Sequence, residues 1–274
     1  MPEMPEVETI RQDMLRKVKG KKIYKVEVEN EKPIRIPVPS QFIQRLEGKI
    51  FRDILRRGKY LIVQINSTEN LIFHLKLTGR LIFFTQGGKT PNYTRIIFNF
   101  EDKSKLFFTD VRGFADVYLI SEKEWDKIPS LQNIGPEPLD PDFTLNKFEN
   151  LLRGKRGKIK PLLMNQSFIA GIGNVYSQEA LFRAGIHPER NSSQLKKEEV
   201  KSLYENLLSI LQEAISYRGA SVDAYVDLQG EKGKFEPHLQ VYGREGKSCE
   251  RCGKPIVKKK IGGRGTYFCP NCQK

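Results

Sequence analysis

No stretch of this chain approaches the roughly 20 consecutive apolar residues that cross a bilayer. No apolar segment follows the initiator Met, because charge begins at Glu3. A transmembrane span and a secretory signal are therefore not expected, and a cytoplasmic location is. Internal repeats and low-complexity tracts are absent. So are a basic amphipathic helix and a lipidation motif, which leaves an anionic membrane without support as a partner. Acidic residues are in deficit: 33 Asp+Glu stand against 47 Lys+Arg, a net charge of +14. Residues 244–274 hold nine Lys/Arg and two Glu, so +7 of that excess lies in the last 31 residues. A basic excess this uneven favours a polyanion, and nucleic acid is the expected class. At 274 residues there is room for two domains, each with its own core.

Cysteine is missing until Cys249 and then occurs four times in 26 residues, as Cys249, Cys252, Cys269 and Cys272. The pattern C-x2-C-x16-C-x2-C lets two tight turns wrap one tetrahedral Zn²⁺. Two disulfides compete with that reading, but a cytosolic setting disfavours them. Four thiolates leave no open coordination position, so one structural Zn²⁺ is expected and no catalytic metal or organic cofactor.

Apolar positions Val7, Ile10, Met14, Leu15 and Val18 recur at helical spacing over Glu6–Lys19, and Gly20 stops them. Short strand-like runs follow at 22–28, 49–55, 60–65, 71–75, 80–84, 94–100, 106–110 and 115–120. Turn residues part many of them, among them Arg57-Gly58, Asn66-Ser67, Gly87-Gly88 and Glu101-Asp102, and a short helix is expected at 40–46. The reading is a two-layer antiparallel β-sandwich with the N-terminal helix against it. Three prolines within 136–141 mark a linker at 134–143. Helical patterns then cover 145–152, 158–165, 174–184 and 196–217, with Ser192 or Ser193 as the cap of the last. The class is α+β in two domains. The expected boundaries are 1–133 for the sandwich, 134–143 for the linker, 144–218 for the helical domain, 219–240 for a loop and connection, and 241–274 for the zinc hairpin. Residues 219–233 are glycine-containing and polar and are expected to be mobile, as a spacer or a lid.

Several constellations could carry chemistry, each beside a plainer reading. Removal of Met1 would leave Pro2 as a secondary amine with a pKa of about 8, next to the Glu3 carboxylate. The plainer reading is a helix start with a frayed end, in which Pro5 fits the first turn and Glu6 and Glu8 favour the positive helix terminus. Gly171-Ile172-Gly173-Asn174 could set a phosphate against a helix start capped by Asn174, with Lys155, Arg156, Lys158 and Lys160 nearby, or form a tight helical corner. Arg264, among Gly262, Gly263 and Gly265, could reach into a groove or be a solvated basic turn. Lys59 could face solvent or lower the pKa of the terminal amine. His74 is as compatible with a structural role as with a functional one. Arg112-Gly113-Phe114 could wedge into a base stack or place a core Phe beside a surface Arg.

Taken together and in order, the motifs resemble the formamidopyrimidine-DNA glycosylase family, bacterial repair enzymes for oxidised purines, over essentially the whole chain. They are Pro2-Glu3-Met4-Pro5-Glu6-Val7-Glu8-Thr9, Arg57-Gly58-Lys59, His74-Leu75, Asp110-Val111-Arg112-Gly113-Phe114, Gly135-Pro136-Glu137-Pro138, Gly171-Ile172-Gly173-Asn174-Val175-Tyr176, Leu181-Phe182-Arg183-Ala184-Gly185-Ile186 and the zinc hairpin with Arg264. The resemblance implies a helix-two-turn-helix motif within the helical domain, and double-stranded DNA bound between the domains. It implies that the Pro2 amine attacks C1′ of the damaged nucleotide and forms an imine, with Glu3 as general acid. Lys59 and Arg264 then hold phosphates and assist β- and δ-elimination. By the same resemblance Lys160 and Asn174 contact phosphate, Glu6 and His74 line the active site, and Leu77, Arg112 and Phe114 fill the gap left by the flipped base. Leu77 stands where the family usually has Met, and is similarly bulky and apolar. 8-Oxoguanine carries N7–H where guanine has an acceptor, and a backbone acceptor in 219–233 could read it. The partner is duplex DNA with an oxidised purine or an abasic site. The protein is expected to be monomeric, cytoplasmic and nucleoid-associated. Two alternatives stand beside this reading: an endonuclease VIII-like glycosylase for oxidised pyrimidines, and a non-catalytic zinc-containing DNA-binding protein.

Overall fold

The computed structural model describes residues 1–66, 68–222 and 224–274. Ser67, from the expected Asn66-Ser67 turn, and Asp223, from the 219–233 segment, lie outside the described residues. The chain divides into two compact units, Met1–Gln132 with Tyr217–Glu236, and Asn133–Ser216 with Pro237–Lys274. No described helix is long and apolar enough to cross a membrane.

The first unit starts with helix α1 (Met4–Lys17). It begins two residues earlier than the apolar pattern suggested, because Glu3 takes the cap position and Pro5 sits in the first turn, where a missing N–H costs nothing. Val7, Ile10 and Met14 form its buried stripe. Then come β1 (Ile23–Val28), β2 (Ile34–Ile36), α2 (Pro39–Leu46), β3 (Asp53–Arg57), β4 (Tyr60–Gln64), β5 (Glu69–His74), β6 (Gly79–Phe84), β7 (Thr94–Phe100), β8 (Lys105–Asp110) and β9 (Asp116–Ser121). A 3₁₀ turn (Glu122–Lys127) and the short α3 (Pro129–Gln132) follow. The strands form one sheet in the order β1-β7-β8-β6 and another in the order β2-β9-β5-β4-β3. Inward residues of both sheets share one core with α1. Phe51, Phe73, Phe98 and Phe108 lie at its centre, with ring centroids 5.5 to 6.2 Å apart along the chain of contacts.

The expected antiparallel sandwich is present, with one parallel pair added: β2 runs beside β9. Three residues between Pro33 and Pro37 are too few to give an alternating signal. Strand β3 starts at Asp53 rather than 49, because Lys49 and Phe51 bond instead to the residues leading into β1 (Ile23 N–H to Lys49 O, 2.8 Å; Phe51 N–H to Lys21 O, 3.0 Å).

The segment Tyr217–Glu236 differs from the expected mobile connection. Tyr225 and Leu228 belong to the sandwich core. The Phe83 N–H donates to Leu228 O at 2.8 Å, so the segment bonds to the free edge of β6. Val226 packs on a second apolar cluster formed by Ile82, Ile97 and Phe107 on the other face of the sheet. That second cover explains why these strands read as apolar runs rather than alternating ones.

The second unit holds α4 (Leu145–Leu152), α5 (Ile159–Met164), α6 (Asn174–Arg183), α7 (Lys197–Ser216) and the hairpin β10 (Val257–Ile261) with β11 (Arg264–Phe268). The proline-rich stretch before α4 has no regular structure, yet it is anchored. Phe143 is buried against Phe148 and Tyr204, and the Tyr204 hydroxyl donates to its carbonyl at 2.7 Å. Val200, Leu203, Leu207, Ile210, Leu211 and Ala214 form the buried stripe of α7. Ser192 and Ser193 do not cap that helix. They sit in a 3₁₀ turn whose own cap is Asn191, and the Lys196 N–H bonds to Glu199 Oε2 at 2.7 Å instead. Gln166 joins α5 to α6: its Nε2 donates to the Met164 and Ile172 carbonyls, and its Oε1 accepts the Gly171 N–H. Two successive turns between two helices result.

Glu179, fully buried on α6, accepts the N–H groups of Gln240, Val241 and Tyr242 at 2.9, 3.0 and 2.8 Å. Burial raises its pKa, against the pull of those three donors and of Arg183. This carboxylate anchors the chain where it enters the zinc module. Replacing it by the isosteric amide, Glu179→Gln, turns an NH₂ toward backbone donors and leaves at least one of them unsatisfied. The expected cost is about 2 kcal/mol or more, read as a lower midpoint in denaturant unfolding with an unchanged slope.

Candidate active site and nucleic-acid interface

In the first unit the start of α1 is fixed by a reciprocal capping box. The Glu3 carboxylate accepts the Glu6 N–H, and Glu6 Oε2 accepts the Glu3 N–H at 2.7 Å. Glu6 Oε1 accepts the Ala220 N–H at 2.9 Å. A Cβ on Gly219, whose φ is +81°, would lie 2.7 Å from that same oxygen, so glycine is required there both by conformation and by space. Pro2, Glu3 and Glu6 are all buried. The terminus is thus a held structure rather than a frayed one. Glu6, expected to favour the helix terminus and to line the site, also joins the helix start to the 217–236 segment.

Arg56 Nε reaches Glu8 Oε2 at 3.1 Å and ties β3 to α1 just before the Gly58-Lys59 turn. Lys59 is 5% exposed, so the reading of a solvated lysine does not hold. The hairpin register sets Tyr60 opposite His74, and their rings meet edge to face at 4.5 Å. His74 Nδ1 accepts the Lys76 N–H at 3.3 Å, which leaves Nε2 to carry the proton. Burial first, and then the charges of Lys76 and Lys59, pull its pKa down to about 3. His74 is therefore a neutral imidazole, able to donate from Nε2.

Leu77 lies in the turn between β5 and β6, and Arg112 and Phe114 lie in the turn between β8 and β9. Thr78 and Asp110 couple the two turns. Thr78 Oγ1 donates to Asp110 Oδ1 and accepts the Arg112 N–H, while Asp110 Oδ2 accepts the Ala115 N–H at 2.9 Å. Asp110 is wholly buried, whereas Phe114 is 48% exposed. The Arg112 guanidinium sits 5.0 Å from the Phe114 ring centre, a cation–π pair. This rigid base presents an exposed aromatic and a cation side by side, not a core Phe. Asp110 and Thr78 escaped notice in the sequence as positioning residues, because their role depends on a contact 32 residues apart.

In the second unit, Lys160 and Asn174 come together: Lys160 Nζ donates to Asn174 Oδ1 at 2.7 Å. Asn174 does not cap α6, as had been expected. It is the first helical residue, and Gly173 takes the cap position. Its amide is occupied elsewhere, with Nδ2 donating to Gly265 O at 3.2 Å. Gln178, one turn on, accepts the Tyr267 N–H at 2.5 Å and donates to Gly265 O at 3.3 Å. The hairpin that carries Arg264 is therefore pinned to α6 by two side-chain amides. Its two-residue turn has φ of +56° at Gly262 and +75° at Gly263, the left-handed pair that a type I′ turn requires. A Cβ on Gly262 would lie 2.8 Å from Pro161 of α5. The Arg264 side chain is exposed beside this turn.

The Sγ atoms of Cys249, Cys252, Cys269 and Cys272 lie within 4.8 Å of one another, with pairs at 3.9 and 3.5 Å. Tetrahedral Zn–S bonds of about 2.3 Å set sulfurs about 3.8 Å apart, so the cluster fits one Zn²⁺. The four thiols are unpaired by disulfides. The zinc is structural: it closes the knuckles behind the hairpin and has no position left for water or substrate.

Comparison with known proteins matches three family models. They are the formamidopyrimidine-DNA glycosylase N-terminal domain over residues 1–117, the formamidopyrimidine-DNA glycosylase H2TH domain over 134–225, and the zinc finger found in FPG and IleRS over 246–274. The formamidopyrimidine-DNA glycosylase of Pelotomaculum thermopropionicum is 42% identical over 274 residues, 100% of this chain and 99% of its own. That of Heliobacterium modesticaldum is 42% identical over the full length of both. Among solved structures, the complex between Lactococcus lactis Fpg and an abasic-site-containing DNA superposes with a TM-score of 0.92 at 38% identity, covering 99% of each chain. A Lactococcus lactis FPG mutant bound to Fapy-dG-containing DNA does so with a TM-score of 0.92 at 38% identity, covering 100% of each.

The state of His74 has a consequence for stability. Its folded pKa of about 3 lies below the ordinary value of 6.5. The unfolded chain therefore binds a proton that the folded one refuses between those values, and stability falls as pH drops below 6.5. One pH unit below, this amounts to roughly 1.4 kcal/mol. The thermal midpoint is expected to fall between pH 7 and 5.5, and His74→Gln is expected to flatten that fall. An identical slope in the variant would mean that His74 is charged in the folded protein.

Proposed function

The chain belongs to the formamidopyrimidine-DNA glycosylase family, and from that premise we propose that it is a bifunctional glycosylase and AP lyase that removes oxidised purines, 8-oxoguanine and formamidopyrimidines, from duplex DNA. The observation that carries the reading is the Glu3–Glu6 box, with Ala220 held on the second oxygen of Glu6. A terminal amine is useful only if it is held still, and this arrangement fixes the backbone nitrogen immediately after Pro2.

Removal of Met1 exposes the secondary amine of Pro2. Its pKa, about 8 for such a group, leaves a usable neutral fraction near pH 7. Its lone pair attacks C1′ while the bond from C1′ to the base breaks, and the proton lost from the Pro2 nitrogen neutralises the departing base. Glu3 delivers a proton to the ring oxygen as the sugar opens, giving an imine between the Pro2 nitrogen and C1′. The positive imine acidifies the C2′ proton. Its loss expels the 3′ phosphate, and a second elimination expels the 5′ phosphate. Water then releases the amine. Lys59, in the turn before β4, and His74, opposite Tyr60 at the end of β5, supply a cation and a neutral N–H donor for the phosphate and sugar oxygens.

Base flipping makes C1′ reachable, and Leu77, Arg112 and Phe114 fill the gap that it leaves. Lys160, Asn174 and the α6 N-terminus suit a DNA phosphate, and Arg264 grips a further one. The 217–236 segment seats the extruded base. Its backbone carbonyls are the acceptors able to tell the N7–H of an oxidised purine from guanine. The relatives named above are bacterial, and action on the chromosome places the protein in the cytoplasm, as a monomer on double-stranded DNA.

Borohydride trapping tests the nucleophile. Mature protein is expected to weigh one methionine less than the full chain and to cross-link to lesion DNA. Pro2→Gly or a retained Met1 is expected to abolish or strongly weaken the cross-link, and trapping at wild-type strength in either would remove Pro2 from the role. Excision of 8-oxoguanine but not thymine glycol is expected, and removal of the pyrimidine lesion alone would sink the purine assignment. For Arg264→Ala, DNA affinity is expected to fall and the slope of log K against log salt to shrink by about one. An unchanged slope excludes a phosphate contact.

A further inference from the structure

Arg218 takes no part in the chemistry above, yet it is tightly constrained. Its φ is +62°, a left-handed conformation that a long side chain seldom adopts. Its guanidinium spans two carboxylates: Nη2 lies 2.5 Å from Asp13 Oδ2 and 2.6 Å from Asp227 Oδ2, and Nε lies 3.1 Å from Asp227 Oδ2. The Asp13 and Asp227 side chains are only 2% and 5% exposed. Asp227 Oδ1 accepts the N–H groups of Gln229 and Glu231, both at 2.9 Å. The Arg218 carbonyl accepts the Tyr225 hydroxyl at 3.1 Å. One side chain therefore ties helix α1 to both ends of the loop that follows it.

The placement of the two anchors on α1 is informative. Asp13 follows Glu6 by seven residues, about two helical turns, so both lie on one face of the helix. Residues 218–220 run along that face, with Arg218 fixed at Asp13 and Ala220 fixed at Glu6. Gly219 between them passes so close to Glu6 that no side chain fits. Glu6 in turn holds the Glu3 N–H. A shift of the segment at Arg218 would therefore be felt where Ala220 meets Glu6, while Glu3 stays held by the other Glu6 oxygen.

We propose that Arg218 is a positioning residue for base excision: clamped between Asp13 and Asp227, it locks the 217–236 segment onto helix α1 and sets the register in which Ala220 meets Glu6. This rests on the reading of the segment as the seat of the extruded base. A direct phosphate contact is the competing role, but the Arg218 guanidinium is already taken up by two buried carboxylates, and Asp13 is paired with Arg16 as well (Nη2 to Oδ1, 2.5 Å).

Two single-turnover assays on one duplex separate the cases: excision of 8-oxoguanine, and borohydride trapping at a preformed abasic site, which has no base to seat. Arg218→Gly keeps the backbone conformation accessible while deleting the clamp. It is expected to slow excision by roughly tenfold while abasic trapping stays within about twofold. Asp13→Asn, which keeps the packing, is expected to act in the same direction. Arg218→Lys, able to reach one carboxylate, is expected to lie between Arg218→Gly and wild type. Because the clamp acts as a unit, the double variant Asp13→Asn/Arg218→Gly should be no slower than Arg218→Gly alone. Wild-type excision by Arg218→Gly, an equal fall in both assays, or multiplying effects in the double variant would each overturn the proposal. A wild-type protein that fails to trap at abasic DNA would instead sink the glycosylase–lyase reading, and the positioning role with it.

Discussion

The Glu6 carboxylate is the point on which the start of the first unit depends. One oxygen holds the N–H of Glu3 and the other holds the N–H of Ala220. Two pieces of chain more than 200 residues apart are thereby set against each other by a single side chain. A chain terminus normally frays, because nothing offsets the entropy of ordering it. Here the capping box, the first-turn proline and burial of Val7, Ile10 and Met14 on the sandwich core together offset it. In the proposed mechanism, a helix that could have been mere cladding becomes the mount for a terminal amine.

The second unit solves a different problem, the placement of cations at chosen points. Helix α6 is its organising element. Asn174 joins Lys160 to the hairpin, Gln178 grips the hairpin backbone, and Glu179 holds the strand of chain that enters the zinc module. Three polar residues on one helix thus fix everything around Arg264, and the zinc closes the far end of the hairpin. Four thiolates leave the metal no coordination site for chemistry, so its contribution is to hold the two cysteine knuckles together. Polar contacts suit this task better than apolar ones, because their geometry is directional and fixes register as well as distance.

Much of this was legible in the sequence, for identifiable reasons. Helices α4, α6 and α7 and eight of the nine sandwich strands announced themselves through periodicity and turn residues. The cysteine spacing announced the metal. Local rules failed where long-range contacts decide. Asn174 looks like a helix cap, but a buried lysine and a hairpin carbonyl claim its amide. Ser192 and Ser193 look like caps, but Asn191 just before them has already turned the chain. The glycine-containing stretch 219–233 looks like a mobile loop by composition. Tyr225, Val226 and Leu228 within it are the signal that could have shown otherwise, since three apolar residues in four positions need a surface to cover. Tyr225 and Leu228 enter the sandwich core, and Val226 covers the second face of β6, β7 and β8, strands whose unbroken apolar runs already called for such a cover.

If, as proposed, this segment seats the base, that packing also explains how a loop can recognise a base while being part of a core. A free loop would have to be ordered at the moment of binding, and that entropy would be subtracted from affinity. Residues 225–235 are held in advance by buried anchors at Tyr225, Leu228 and Phe235, and by the Asp227 carboxylate that gathers N–H groups and the Arg218 guanidinium. What they present is then set by α1 and by the sheet edge rather than by the ligand. Selection between bases that differ by one donor and one oxygen requires such rigidity, because a loop free to adapt would satisfy either base equally. The left-handed Arg218 and the sterically required Gly219 are the local strain accepted in holding that rigid surface against the same helix whose start carries Glu3 and Glu6.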